Sequence, residues 1–237
     1  MATERIAIAP ALSLPQVAAS DGLAQTFGEV RRRDLGYGAA KRAMDIVVAA
    51  VLLVLLSPLF AAVAIAIALV DPGPVFYRGE RIGRFGNPFM MMKFRSMRAG
   101  CDTTPHAVFV RSLFRDGARC DLYKLPDDRR ITRLGAFLRR TSIDELPQLW
   151  NVLIGEMSLV GPRPDVSYAV DEYADWMHRR LLVKPGMTGL WQVSGRSRVG
   201  LMEMYQLDLS YVASASLVTD LRILLRTPAA LLGGGAA

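Results

Sequence analysis

The chain has 237 residues, half of them hydrophobic, and a formal net charge of +7. That charge suits an anionic partner, whether phosphate, nucleic acid or an anionic membrane surface, and does not choose among them. Two cysteines, Cys101 and Cys120, exclude a disulfide framework and read as free thiols in a reducing compartment; two histidines, His106 and His178, are too few and too far apart for a histidine metal site.

Residues 1–40 mix Ala, Ser, Pro and Gly without a sustained period, which predicts a mobile tail. They do not read as a signal peptide, because Pro10 and Pro15 interrupt short apolar stretches. Arg31, Arg32, Arg33, Lys41 and Arg42 then form a basic collar. The run from Ile46 to Val70 is apolar except at Ser57 and Pro58 and is long enough to span a bilayer as one helix. Ser57-Pro58 sits at its midpoint, where proline removes an N–H and predicts a kink, and the serine hydroxyl can satisfy a freed backbone group. The flank after the run, with Arg78, Arg81, Arg84, Lys93, Arg95 and Arg98, is basic as well. Basic flanks prefer the cytoplasm, and one straight span cannot place both there. A helix that bends at Ser57-Pro58 and returns to its own face can, putting Arg33 and Arg98 on the same side; a kinked signal anchor is the other reading. So few polar atoms interrupt the run that a soluble core helix is disfavoured.

Asp71-Pro72-Gly73-Pro74 ends the helix. Two apolar segments around Gly86-Asn87 predict a short β-hairpin. Residues 99–126 carry little pattern. In RRITRLGAFLRR (129–140), Ile131, Leu134, Phe137 and Leu138 recur at helical spacing among arginines, so a basic amphipathic helix meets either a membrane or phosphate-rich partner, or a small core. Further helices are predicted over 145–154, 166–183, 201–212 and 217–225. No repeat appears, and the only low-complexity tract is the Gly233–Gly235 tail.

The densest polar constellation is RRTSIDELPQLWN (139–151). Ser142 with Glu145 fits a capping box, while Pro147 favours a start near Asp144; either places Asp144 and Glu145 in a first turn, where the helix dipole favours ionised acids. Next to Arg139 and Arg140 these acids read either as caps and ion pairs, or as a nucleophile and a metal ligand beside phosphate-binding arginines. In GEMSLVGPRPD (155–165), Pro162 and Pro164 stiffen the backbone around Arg163, as bidentate phosphate recognition would require, or as a plain turn would. KPGMTGLWQVSGR (184–196) is a glycine-rich turn with Lys184, Thr188, Gln192 and Arg196, whose glycines would let backbone N–H groups approach a phosphate. No Walker A loop or dinucleotide fingerprint is present.

KRAMDI (41–46), the broken apolar run, GPVFYRGERIGRFGNPF (73–89), KFRSM (93–97), ITRLGAFLRRTSIDELPQLWNVLIGEMSLVGPRP (131–164) and KPGMTGLWQVSGR, in that order, resemble the bacterial sugar transferases, the monotopic polyprenyl-phosphate phosphoglycosyl transferases. The resemblance runs from Lys41 to about Arg226. It implies an α+β, mainly helical fold: a mobile tail (1–40), a re-entrant membrane helix hairpin (41–72) and a small cytoplasmic catalytic domain with a short β-hairpin (73–237). It implies transfer of a hexose 1-phosphate, glucose or galactose, from a UDP-sugar to polyprenyl (undecaprenyl) phosphate, with release of UMP, as the first membrane step of exopolysaccharide synthesis at the cytoplasmic face of the inner membrane. No extra N-terminal membrane helices are seen, so the compact branch is the expected one. Asp144 matches the nucleophile and Glu145 the magnesium-associated acid; Arg139 and Arg163 match phosphate-contacting arginines. Lys93, Arg95 and Gln192 are further substrate-binding candidates. The closing segment 207–227 departs from the family: Ala-Ser-Ala-Ser (213–216) stands where Asn-Trp-Ser is expected, which leaves open whether Asp208 or Asp220 approaches the metal. A membrane-anchored adaptor binding anionic lipid is the alternative. Nucleic acid is not an expected partner, since no binding module accompanies the charge.

Overall fold

The computed structural model describes residues 35–98, 100–102, 104–115, 128–195 and 199–232. The tail up to residue 34 with Arg31, Arg32 and Arg33, all of 116–127 including Cys120, Arg196 and the terminal glycines lie outside this range.

The apolar run forms two helices, α1 (Leu35–Leu55) and α2 (Ser57–Val70), bent by 60°. Pro58 lies at the second position of α2 and cannot donate to the Val54 carbonyl; the Ser57 hydroxyl donates to that oxygen instead, at 2.8 Å. The break therefore leaves that carbonyl satisfied. Among the described residues no single helix is long and apolar enough to cross a membrane, but the bent pair is. Large apolar side chains point outward along it, with Val54 75% and Leu69 78% exposed.

The predicted hairpin is present. Strands β1 (Phe76–Ile82) and β2 (Pro88–Phe94) pair antiparallel from Phe76 opposite Phe94 to Ile82 opposite Pro88, around a tip at Arg84–Gly86 where Phe85 and Gly86 take positive φ. Helix α3 (Thr104–Arg115) was not expected from sequence. Helix α4 (Arg133–Thr141) is capped by Thr132, whose side chain accepts from Gly135 N at 2.9 Å. Ile131 precedes that helix and bridges to Met97, and Phe137 stays exposed, so Leu134 and Leu138 supply its inward face. Neither predicted start of the next helix is realised: a 3-10 turn covers Ile143–Glu145, and α5 (Gln148–Ile154) begins after Pro147. Ser142 makes no side-chain cap; it takes a left-handed φ of 58° at the junction of α4 and the turn.

Strand β3 (Ser158–Val160) pairs parallel with β4 (Gly186–Thr188), a two-stranded sheet absent from the sequence reading. Its glycines serve that pairing: a Cβ on Gly186 would lie 2.1 Å from Gly161 N, and one on Gly161 would lie 2.4 Å from Lys184 O. The Gly186 N–H donates to Pro162 O at 2.8 Å, so its close backbone approach is to the partner segment. The helix predicted over 166–183 is instead α6 (Ser167–Val170) and a 3-10 helix (Asp175–Leu182). Helices α7 (Leu190–Ser194), α8 (Leu201–Ser214) and α9 (Leu217–Leu232) complete the described residues.

The residues of KRAMD dock α1 onto this body. Lys41 Nζ reaches Asp220 Oδ2 at 2.7 Å. Arg42 donates to the Val152 and Leu153 carbonyls at 2.6 and 2.7 Å, at the C-terminal end of α5. Asp45 accepts from Ser158 Oγ and Leu159 N, both at 3.1 Å. Ala49 then packs with Leu149, Val152, Met157 and Tyr211. Farther along, Val63 and Ile67 of α2 pack with Phe94 and Leu138, flanked by Ile143.

Pro58→Ala restores the missing donor and removes the cause of the bend. Spin labels at positions 47 and 69 stand about 29 Å apart across a 60° bend and about 33 Å apart on a straight helix, by helix rise alone. Pulsed electron resonance in nanodiscs will show the longer distance in Pro58→Ala; an unchanged distance means that packing imposes the bend without the proline.

Candidate active site

Three segments meet at Glu145. Its Oε1 accepts from Lys93 Nζ, near the end of β2, at 2.9 Å. Its Oε2 accepts from Arg163 Nη1 at 3.0 Å, and Arg163 Nη2 reaches Oε1, so the guanidinium grips the carboxylate with both prongs. Burial opposes ionisation of Glu145, but the charges and hydrogen bonds of Arg163 and Lys93 outweigh it and hold the carboxyl well below the usual carboxylate range. Burial lowers the Lys93 pKa, with Glu145 pulling the other way. The charge of Glu145 raises Arg163 above its already high value.

Asp144 sits beside this clasp, 6% exposed. Burial raises its pKa; Lys93, Arg139 and Arg163 pull it down, and Glu145 pushes it up. The turn thus presents two adjacent acids with opposite tendencies: Glu145 is committed to its cations, while Asp144 is the more basic of the two. Ile143, next to Asp144, touches the apolar cluster shared by α2 and α4, so the turn is seated against the second helix of the bent pair.

Asn151 fixes the orientation of α5. Its Oδ1 accepts from Met92 N at 2.9 Å and its Nδ2 donates to Met90 O at 2.9 Å, so the side-chain amide acts like a peptide group along the edge of β2. Because Lys93 follows Met92, this pairing also brings its ammonium towards the turn.

Of the residues expected at the site, Asp144, Glu145, Lys93, Arg139 and Arg163 are brought together. Arg95 is not in their hydrogen-bonded cluster: it is buried against the exit of α2, with its guanidinium on the Asp71 carbonyl and Gly73 packed onto Nη1. Gln192 bonds to Met187 O at 3.1 Å on the α7 side. Asp208 and Asp220, expected near a metal, are fully buried in separate networks. Asp208 pairs with Arg180 at 2.7 Å. Asp220 accepts from Tyr37, Lys41 and Tyr211 at 2.9, 2.7 and 2.7 Å. Burial pushes the Asp208 carboxyl up to about 7, against the pull of Arg180. The described residues contain no group of three or more His, Cys, Asp or Glu side chains arranged to hold a metal. The acid pair alone can offer oxygen ligands to a cation that draws the rest of its shell from phosphate and water, which is how magnesium is usually held.

Sequence reasoning missed Asp165, Tyr173, Arg180 and Tyr205, which form a buried polar cluster under the Arg163 loop. Asp165 closes the GPRPD motif and could have been suspected. Arg180 carries no local signal.

The chain matches the model of the bacterial sugar transferase family over residues 36–234. It belongs to that family. It is 40% identical over 199 residues to the exopolysaccharide production protein ExoY of Sinorhizobium fredii, covering 84% of this chain and 88% of that protein. It is 44% identical over 189 residues to the UDP-galactose-lipid carrier transferase of Erwinia amylovora, covering 79% of this chain. It is 39% identical over 209 residues to the UDP-glucose:undecaprenyl-phosphate glucose-1-phosphate transferase of Xanthomonas campestris, covering 85% of this chain. The chain spans about two fifths of the length of these last two relatives, 39% and 40%.

The depressed Glu145 pKa makes stability depend on pH with a definite sign. A carboxyl held below its unfolded value of 4.5 contributes stability that is present above that pH and lost as pH falls through the folded value. Glu145→Gln leaves Lys93 and Arg163 without their anion and will destabilise the protein by about 2 kcal/mol at pH 7, discounted for partial exposure. The difference in melting temperature from the wild type will shrink below pH 4; a gap independent of pH would mean that the clasp is not an ionised pair.

Proposed function

We propose that this sugar transferase moves a hexose 1-phosphate from a UDP-sugar to undecaprenyl phosphate, with Asp144 as the nucleophile. The observation that carries the reading is the buried Asp144 carboxylate beside Lys93, Arg139 and the Arg163–Glu145 clasp, on a turn packed against α2. The names of the relatives agree: one is a UDP-galactose-lipid carrier transferase, another a UDP-glucose:undecaprenyl-phosphate glucose-1-phosphate transferase.

In the first step an Asp144 carboxylate oxygen attacks the β-phosphorus of the UDP-sugar. The bond from that phosphorus to the oxygen bridging to the α-phosphate breaks, and UMP leaves with the electron pair. A phosphosugar ester on Asp144 remains. In the second step an oxygen of undecaprenyl phosphate attacks the same phosphorus, the Asp144 oxygen leaves as carboxylate, and the diphosphate-linked lipid sugar forms. A diphosphate and a carboxylate repel each other, so cations must gather both. Lys93, Arg139 and Arg163 supply that charge, and substrate phosphates compete with Glu145 for the first and last. Magnesium, held by Glu145 with Asp144 close by, would add electrostatic neutralisation of the diphosphate. The bent helix pair is a re-entrant hairpin in this reading: its exposed apolar side chains lie in lipid at the cytoplasmic face of the membrane, and the acceptor phosphate arrives at the level of the catalytic turn. A non-enzymatic adaptor for anionic lipid would have no use for a buried carboxylate among cations.

A nucleophile must form a bond, and its reach is set to within about an ångström. Asp144→Asn, without the anionic oxygen, and Asp144→Glu, with that oxygen moved by a methylene, will both lose at least about a thousandfold in UMP release from a UDP-glucose and UDP-galactose panel. Wild-type enzyme given UDP-sugar and magnesium but no lipid will yield a peptide heavier by one phosphosugar at Asp144. UMP that appears only when both substrates are present, with no adduct on any carboxylate, would refute the covalent step.

A further inference from the structure

Two prolines stiffen the backbone around Arg163 but do not determine where the 161–165 loop sits. Beneath it lies Arg180, on the 3-10 helix Asp175–Leu182, with its side chain 2% exposed. Arg180 Nη2 donates to the backbone carbonyl of Arg163 at 2.6 Å and to Asp208 Oδ2 at 2.7 Å. Nη1 reaches Asp165 Oδ2 and the Tyr173 hydroxyl. Asp165 Oδ2 also accepts from the hydroxyls of Tyr173 at 2.6 Å and Tyr205 at 2.8 Å, and the Arg180 guanidinium lies 4.7 Å from the centre of the Tyr205 ring. One planar fork thus joins the loop to α8, which carries Tyr205 and Asp208.

Such a cluster is a poor device for stability alone. Removing three charges from water is costly, and well-packed apolar side chains of the same volume are often at least as stable. What it supplies is geometry. The loop carbonyl is held by a donor that is itself held by two acids, and only a guanidinium has separate prongs for those partners; an ammonium donates from a single point.

We propose that Arg180 is a positioning residue for Arg163: through the loop carbonyl it sets where the Arg163 guanidinium meets the diphosphate of the donor substrate. The proposal rests on the donor assignment made above. Arg180 is buried, and its hydrogen bonds go to the protein itself.

Arg180→Lys, Asp208→Asn and Tyr205→Phe, purified in nanodiscs, are compared with the wild type for UMP release, for calorimetric binding of UDP with magnesium, and for melting temperature. Arg180→Lys will lower kcat/KM for UDP-sugar by about tenfold to a hundredfold and weaken UDP binding by a similar factor, with KM for undecaprenyl phosphate changed less than about twofold. In an Arg163→Lys background the same substitution will weaken UDP binding by less than about threefold, because both act through one contact. A lowered melting temperature with kcat/KM and UDP binding within about twofold of wild type would overturn the proposal, as would the same factor in both backgrounds. If Arg180→Lys does not fold, Asp208→Asn and Tyr205→Phe decide by the same readouts: a several-fold loss of UDP affinity in either supports positioning, and wild-type affinity in both refutes it. Wild-type protein that binds UDP but releases no UMP would sink the proposed activity while binding still judges Arg180; wild-type protein that does not bind UDP sinks both.

Discussion

The Glu145 clasp is the constraint on which the candidate site depends. Lys93 belongs to β2, Arg163 to the loop after β3, and Glu145 to the 3-10 turn between α4 and α5. A half-buried lysine and arginine without an anion would carry a large desolvation cost, so the fold supplies one from its own chain. With Asp144 ionised, two carboxylates balance Lys93 and Arg163, and Arg139 leaves a surplus positive charge. That arrangement keeps the turn shaped with its charges nearly balanced.

The clasp has a defined place only because the bent helix pair and the catalytic body are packed as one unit. Lys41, Arg42 and Asp45 engage α9, the end of α5 and β3 within a little more than one turn of α1. At the other helix, Val63 and Ile67 share an apolar cluster with Phe94, one residue from Lys93, and with Leu138, one residue from Arg139. The same packing that buries the inner face of α2 therefore sets the position of the Ile143–Glu145 turn. The Ser57–Val54 hydrogen bond lets the chain bend by 60° without leaving that carbonyl open.

Buried acids have a second use here as latches. Asp45, Asp165, Asp208 and Asp220 are all buried, and each accepts hydrogen bonds from elements distant in sequence. Each exchange of hydration for directed hydrogen bonds contributes little net stability but selects one geometry, because a shifted element would leave a buried carboxylate unpaired. The substitution of Ala-Ser-Ala-Ser at 213–216 leaves these latches in place: Tyr211 still bonds Asp220, and Asp208 still meets Arg180.

Local chemistry made much of this molecule legible from its sequence. A proline at the midpoint of an apolar run announces a bend, two apolar segments around Gly86-Asn87 announce a hairpin, and adjacent acids among arginines announce a candidate site. These signals act over a few residues, where backbone sterics and hydrophobic periodicity decide. The partners of the acids were beyond such signals. Asp208 and Asp220 read as metal candidates because charge in a helix looks functional when its neighbours are unknown; tertiary packing gives them Arg180 and Lys41, 28 and 179 residues away. Arg95 read as a phosphate ligand and is instead buried on the α2 exit, and the glycines of 184–196 read as a phosphate cradle and instead let two strands touch. The sequence determined by itself the bend, the hairpin and where the adjacent acids Asp144 and Glu145 stand along the chain, but not α3 or the β3–β4 pair. Only the tertiary structure decided which charges meet, because a buried charge is defined by its partner, and the partner is chosen by packing.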